Sequence, residues 1–210
     1  MAKLLTSLFA FRLDAWEALL SDASALEAAR DRLLARQDLM PEERPDAEAF
    51  FREAIQRGHF YEALAPRSMR KLDRWLVDLF RHELSLDPLL PDTGSHRYEW
   101  VGAFMERNGI DATARRVFEN LVSGRRFGRV APIPEDLPYY GYLRTPEAAV
   151  VASVLPAVLA AMEDERARMT PFPWRRRGYA HDQPYELLRA LVPAMSAAAD
   201  RGADVLAISF

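Results

Sequence analysis

Residues 131–147 read A-P-I-P-E-D-L-P-Y-Y-G-Y-L-R-T-P-E, and the reading of this stretch decides the fold. Pro132, Pro134 and Pro138 exclude a regular helix, because each lacks a backbone donor and crowds the turn before it. Tyr139, Tyr140 and Tyr142 around Gly141 instead predict a short extended piece, and Thr145-Pro146-Glu147 opens a helix. Before the stretch lie short amphipathic helical patterns. After it come two very apolar helical segments and a closing strand.

In the segment that follows, Val150, Val151, Val154, Leu155, Val158, Leu159 and Met162 recur as adjacent pairs every four residues, which predicts a core helix over 146–168. Such a helix is about 34 Å long, and Pro156 inside it predicts a kink. Leu187, Leu188, Leu191, Val192 and Met195 repeat the rhythm in a helix over 185–201 that also holds an interior proline, Pro193. The octapeptides V-L-P-A-V-L-A-A and L-V-P-A-M-S-A-A match, but alanine-rich helices match each other easily. Gly202 stops the last helix, and D-V-L-A-I-S-F over 204–210 predicts a strand.

Toward the N-terminus, residues 4–12 (L-L-T-S-L-F-A-F-R) are apolar and too short for a stable helix, so they predict a strand. Asp14 with Glu17 and Ser24 with Glu27 each form a capping-box pattern, predicting two helices, the second running to Gln37. Pro41 and Pro45 predict a loop over 38–47, followed by a helix over 47–57 that stops at Gly58. Leu72, Trp75, Leu76, Leu79 and Phe80 predict an amphipathic helix, and Pro88, Pro91 and Gly94 predict a loop over 84–95. Tyr98, Val101, Phe104 and Met105 mark a helix ended by Asn108-Gly109. Asp111 caps the next, with Val117, Phe118, Leu121 and Val122 inward and Gly124 at its end. The expected architecture is a mainly helical α+β fold, a single domain over 1–210. Its small sheet is formed by the N-terminal, central and C-terminal strands and backed by the two late helices.

The 210 residues carry a net charge of −3, which weighs against a nucleic-acid role for the whole protein but leaves room for a local basic patch. With no cysteine, disulfides, thiolate metal sites and thiol nucleophiles are all excluded, and a cytoplasmic setting is the expectation. Lys3 and the apolar run after it resemble a signal peptide only superficially, since Arg12, Asp14 and Glu17 cut the run short. No uninterrupted apolar run approaches the ~18 residues of a membrane span, so no membrane role is expected.

Chemistry-bearing patterns are sparse. His59, His82, His96 and His181 show no metal-ligand spacing, and no serine sits in a G-x-S-x-G elbow. His82-Glu83 suits a helix C-terminus, and Asp182 suits a helix cap. The G-R-R-F-G-R run at 124–129 lacks the strand–helix frame of a phosphate loop. No catalytic residue, metal set or cofactor is therefore predicted, and an enzyme with a non-standard site stays open as an alternative.

Two arginine clusters stand above background: Arg115, Arg116, Arg125, Arg126 and Arg129, opposed locally only by Glu119, and Arg175-Arg176-Arg177 beside Trp174 and Tyr179. Arginines next to aromatic rings suit phosphates, single-stranded bases or an acidic protein face. Amphipathic rings on proline-bounded segments suit a contact surface. The predicted binding residues are thus Asp136, Tyr139, Tyr140 and Tyr142 in 132–144, Trp174 and Arg176 in 171–179, and Arg125 and Arg126. A protein partner is the first expectation, and a phosphate or nucleic acid the alternative.

Residues 8–26, L-F-A-F-R-L-D-A-W-E-A-L-L-S-D-A-S-A-L, resemble the start of the small bacterial YfbM-type proteins, where a strand leads into a capped short helix and then another. Residues 100–143 resemble a related uncharacterised bacterial domain family with a P-x-P-x-D-(F/L)-P-x-x-G-Y-L segment, here P-I-P-E-D-L-P-Y-Y-G-Y-L. Together these cover about half the chain. The resemblance implies a compact cytoplasmic α+β domain and carries no catalytic residues; some such proteins look like immunity or interaction modules.

Overall fold

Strand β1 (Leu5–Phe11) and strand β4 (Asp204–Ser209) lie side by side at the centre of a four-stranded antiparallel sheet ordered β2-β1-β4-β3. A computed structural model of the chain describes residues 5–36, 40–57, 82–84, 86–122, 125, 140–168 and 179–209. The chain groups into two compact units. One comprises Met1–Ala10, Asp87–Arg125 and Pro138–Phe210, the other Phe11–Leu86 and Arg126–Leu137.

The first unit holds the sheet. Thr6 and Ser209 are buried with their hydroxyl oxygens 2.7 Å apart, so each satisfies the other across the two central strands. Edge strand β3 (Tyr140–Leu143) pairs antiparallel with β4, Gly141 opposite Ala207 and Leu143 opposite Val205. The extended piece expected around Gly141 is this strand. The opposite edge departs from the expectation: β2 (Asp87–Gly94) occupies most of the predicted 84–95 loop and pairs antiparallel with β1. Pro88 and Pro91 remove two ladder donors, which only an edge strand tolerates. Register shifts between Thr6 and Phe9 absorb the irregularity, and the Ser7 hydroxyl donates to Asp92.

Helices α4 (His96–Arg107), α5 (Ala112–Glu119), α6 (Thr145–Arg168) and α7 (Tyr179–Asp200) complete this unit. Leu8, Leu143, Val205 and Ala207 share one core with Val151 and Leu155 of α6 and Leu188 and Leu191 of α7. Phe9, Leu206 and Ile208, at alternate positions, are buried as well. Helix α4 ends in a Schellman arrangement: Gly109 has φ 64°, Ile110 N–H donates to the Met105 carbonyl and Gly109 N–H to that of Glu106. Gly202 (φ 60°) ends α7 the same way, two residues before β4. Asp111 caps α5 as expected, accepting from the Thr113 and Ala114 amides; these bonds hold its carboxyl below the ordinary value. The helix closes at Glu119, before the expected stop at Gly124.

Helix α6 is capped from a distance. Asp204 of β4 accepts from the Thr145 amide (2.7 Å) and hydroxyl (3.0 Å), while Glu147 reaches back to the Arg144 amide (2.8 Å). Pro156 lies inside the unbroken helix and removes the bond to the Ala152 carbonyl. By length and composition alone α6 could cross a membrane, but Ala148, Val151, Leu155, Val158 and Met162 form a buried stripe in the core. Helix α7 begins at Tyr179, six residues before the expected start, so Asp182 lies within the helix and is no cap.

In the second unit, α1 (Leu13–Ser21), α2 (Ala23–Leu34), the 3-10 turn Pro41–Glu43 and α3 (Arg44–Arg57) are described. The first capping box does not form: Asp14 lies inside the first turn of α1, where it pairs with Arg12, the residue at the cap position. Asp22, rather than Ser24, caps α2 through the Ser24 (2.9 Å) and Ala25 (3.2 Å) amides. The predicted loop over 38–47 gives way to a 3-10 turn and three more residues of α3, because Pro45 sits in a first turn that needs no amide donor. Trp16, Leu26, Ala29, Ala47 and Phe51 are buried. Arg32 holds Glu83 with two parallel bonds of 2.9 and 2.6 Å. The Leu72–Phe80 stripe lies outside the described residues.

Candidate functional site

Arg125 and Tyr142, two of the predicted binding residues, sit together in the first unit. The Arg125 guanidinium lies 4.5 Å from the centre of the Tyr142 ring and donates to the Tyr142 carbonyl (3.3 Å) and to the Glu147 carboxylate (2.6 Å). Only 6% of Tyr142 is exposed, so its ring is core and not contact surface. Arg125 is correspondingly a clamp: through its Nη1 donors it ties β3 to the first turn of α6. Tyr140 contributes its backbone to β3. Asp136, Tyr139, Arg126, Trp174 and Arg176 lie outside the described residues.

Burial disfavours the charged form of Glu147, but the Arg125 hydrogen bond and the Arg144 amide outweigh it and lower the carboxyl below its ordinary 4.5. A carboxyl depressed in the folded state contributes stability that is complete above its unfolded pKa and is lost as pH falls through the folded one. Glu147→Gln should therefore lower stability by about 2 kcal/mol near neutrality. The gap from the wild type should close below pH 4.5 in urea titrations run at a series of pH values.

Arg115 is engaged too. It pairs with Glu106 of α4 and lies 3.7 Å from Glu119 on its own helix. Sequence alone sets only Glu119 against the first arginine cluster; the fold adds Glu106 and Glu147 from distant positions. His96 bridges α4 to α7 through Gln183 (3.2 Å) and meets Trp100 edge-on, with ring centres 4.9 Å apart. A side chain on Gly94 would collide with the His96 ring, so this glycine leaves room for the bridge. Tyr98 is wholly buried against Phe118, with no hydrogen-bond partner for its hydroxyl among the described residues, and burial raises its pKa. Among the described residues no group of three or more His, Asp or Glu is placed to hold a metal ion.

The surface that stands apart is the outer face of α6, which sequence reasoning did not single out. Pro146, Ala149, Val150, Ser153, Pro156, Ala157 and Ala160 are exposed, Val150 to 40%. At 100° per residue they fall on one side of the helix. Only 28% of the helix's most apolar 18-residue window is buried. No charged residue occurs from Ala148 to Met162, whereas the exposed positions of α4 include Glu99, Glu106 and Arg107, and those of α7 include Glu186 and Arg189. Ser153 is the one polar side chain on this face, and its hydroxyl already donates to the Val150 carbonyl (2.8 Å). The face can therefore lose its water without stranding a polar side chain. The signal was available in the sequence as a charge-free run of 15 residues from Ala148 to Met162, but periodicity assigns such a run to the core and does not separate its two sides. No protein-family model matches this chain, and no curated protein or solved structure is significantly similar to it.

Proposed function

We propose that this chain is a cytoplasmic bacterial interaction module whose task is to bind protein, as its resemblance to YfbM-type proteins and related domains implies. The observation that carries the reading is the charge-free outer face of α6, about 21 Å long from Pro146 to Ala160. An exposed helix of a soluble protein ordinarily presents charge to water; one that presents alanine, valine and proline instead marks a surface that becomes covered. The arginine clusters lend less to the phosphate and nucleic-acid alternative, because Arg115 and Arg125 are neutralised by Glu106 and Glu147. The test is affinity capture from the native host with wild-type protein and with Ala157→Arg as baits, read by mass spectrometry. The reading expects specific partner proteins, which include untagged copies of the chain itself, on the wild-type bait and their loss on the variant. Equal recovery on both baits would remove α6 from the contact surface.

A further inference from the structure

We propose that the partner covering α6 is a second copy of this chain, packed antiparallel along the same face; this rests on the interaction reading above. The argument is one of self-complementarity. An antiparallel pairing centred between Val154 and Leu155 sets Ala149 against the partner's Ala160, Ser153 against the partner's Pro156, and Val150 against the partner's Leu159. The exposed positions from Ala149 to Ala160 thus fall on exposed or half-exposed uncharged ones, and Pro146 falls on the partner's Glu163. Ala149, Ser153, Ala157 and Ala160 are small and spaced at three and four residues, so the two helices can approach closely. A two-fold contact of this kind is closed and stops at a dimer.

Charge at the ends of the helix bears on both the occupant and the direction. Glu163, Asp164 and Glu165 stand at the C-terminal end of the face, followed by Arg166 and Arg168, and exposed Arg144 stands at its N-terminal end near Glu147. The antiparallel arrangement brings the acidic triplet to the partner's Arg144 and to the positive end of the partner's helix dipole. A parallel arrangement would set acidic triplet against acidic triplet. A charged occupant would lose hydration against the middle of the face and gain no partner there. The same face on another copy is neutral where this one is neutral, and its acidic triplet meets the positive end of this helix.

The chain has no cysteine, so introduced thiols report alone. In this register two copies of residue 153 are offset along the helix by only about 4–5 Å, whereas two copies of residue 160 are offset by about 16 Å. Light scattering of the wild type is expected to give twice the chain mass of 23.9 kDa. Ala157→Arg should give the single-chain mass while still unfolding cooperatively, and Ala149→Glu should do the same as an independent check. Under mild oxidation Ser153→Cys should cross-link with itself and Ala160→Cys should not. A mixture of Ala149→Cys and Ala160→Cys should cross-link. Arg144→Glu should weaken the dimer, and Arg144→Glu combined with Glu165→Arg should restore it. A wild type that stays at single-chain mass up to its solubility limit overturns self-pairing. If a different protein is then captured by the wild type and lost with Ala157→Arg, the interaction reading stands without it; if nothing is captured, both fall. Self-linking by Ala160→Cys without linking by Ser153→Cys overturns the antiparallel register.

Discussion

Gly141→Ala is expected to lower folding stability by about 3 kcal/mol, more than any other single added methyl group on the sheet. The added carbon would lie 2.5 Å from the Asn120 carbonyl oxygen and closer still to the Leu121 carbonyl group. Both neighbours are backbone at the end of α5, so no side chain can rotate out of the way. Either β3 lifts from this turn, straining its pairing of Gly141 with Ala207, or the turn itself shifts. Each route disturbs buried Leu121 and Leu143, both at 1% exposure or less. Urea unfolding followed by far-UV circular dichroism measures the loss, and stability within about 0.5 kcal/mol of wild type would show that the turn and strand do not approach so closely. Gly109 and Gly202 differ in kind. An alanine there meets no atom within 4 Å and faces only the cost of a positive φ.

Leu155→Ala is expected to cost about 3–4 kcal/mol. Leu155 is wholly buried and lies in the core shared by α6, α7 and the sheet. Truncation removes apolar contacts and leaves a space that elements packed on several sides cannot close. Two residues along, Ala157 is exposed, and at protein concentrations low enough to separate any copies Ala157→Arg is expected to stay within about 0.5 kcal/mol of wild type. Measured side by side, the two variants separate the faces of one helix: one carries folding, the other the proposed association. The contrast also bears on the membrane-length composition of α6. A helix whose stripe packs against β4 and α7 should lose cooperative unfolding in water when Leu155 is truncated. An unchanged unfolding curve for Leu155→Ala would remove that stripe from the core.

The helices of the first unit were legible because burial imprints a period: Tyr98, Val101 and Met105 in α4, and Val151, Leu155 and Val158 in α6, recur at helical spacing and are buried. Stops at Asn108-Gly109 and Gly202 were legible because a left-handed residue without Cβ penalty is a local requirement. Strand β2 was not, since its prolines forbid a central strand and say nothing about an edge one. The early caps misled for a related reason. Asp22 and Ser24 both satisfy the local pattern, and backbone geometry chooses between them. The candidate site was the least legible part. Tyr142 reads as a contact ring in a proline-bounded segment until the fold buries it beneath Arg125, and Arg125 reads as a cation opposed locally only by Glu119 until Glu147, 22 positions away, arrives beside it.

By itself, then, the sequence determined the α+β class, the order of the late elements 140–143, 145–168 and 204–209, and the absence of thiol chemistry. Each depends on interactions that a residue makes with its near neighbours in the chain, or on composition alone. Tertiary structure decided which strands became edges, which arginines were already paired, and which side of the apolar helix α6 stayed in water. Those outcomes depend on residues far apart in sequence, Thr6 with Ser209, Arg125 with Glu147 and Asp204 with Thr145. Hydrogen bonds, charge and burial act through space, and a linear pattern records only the part of space that the local backbone repeats.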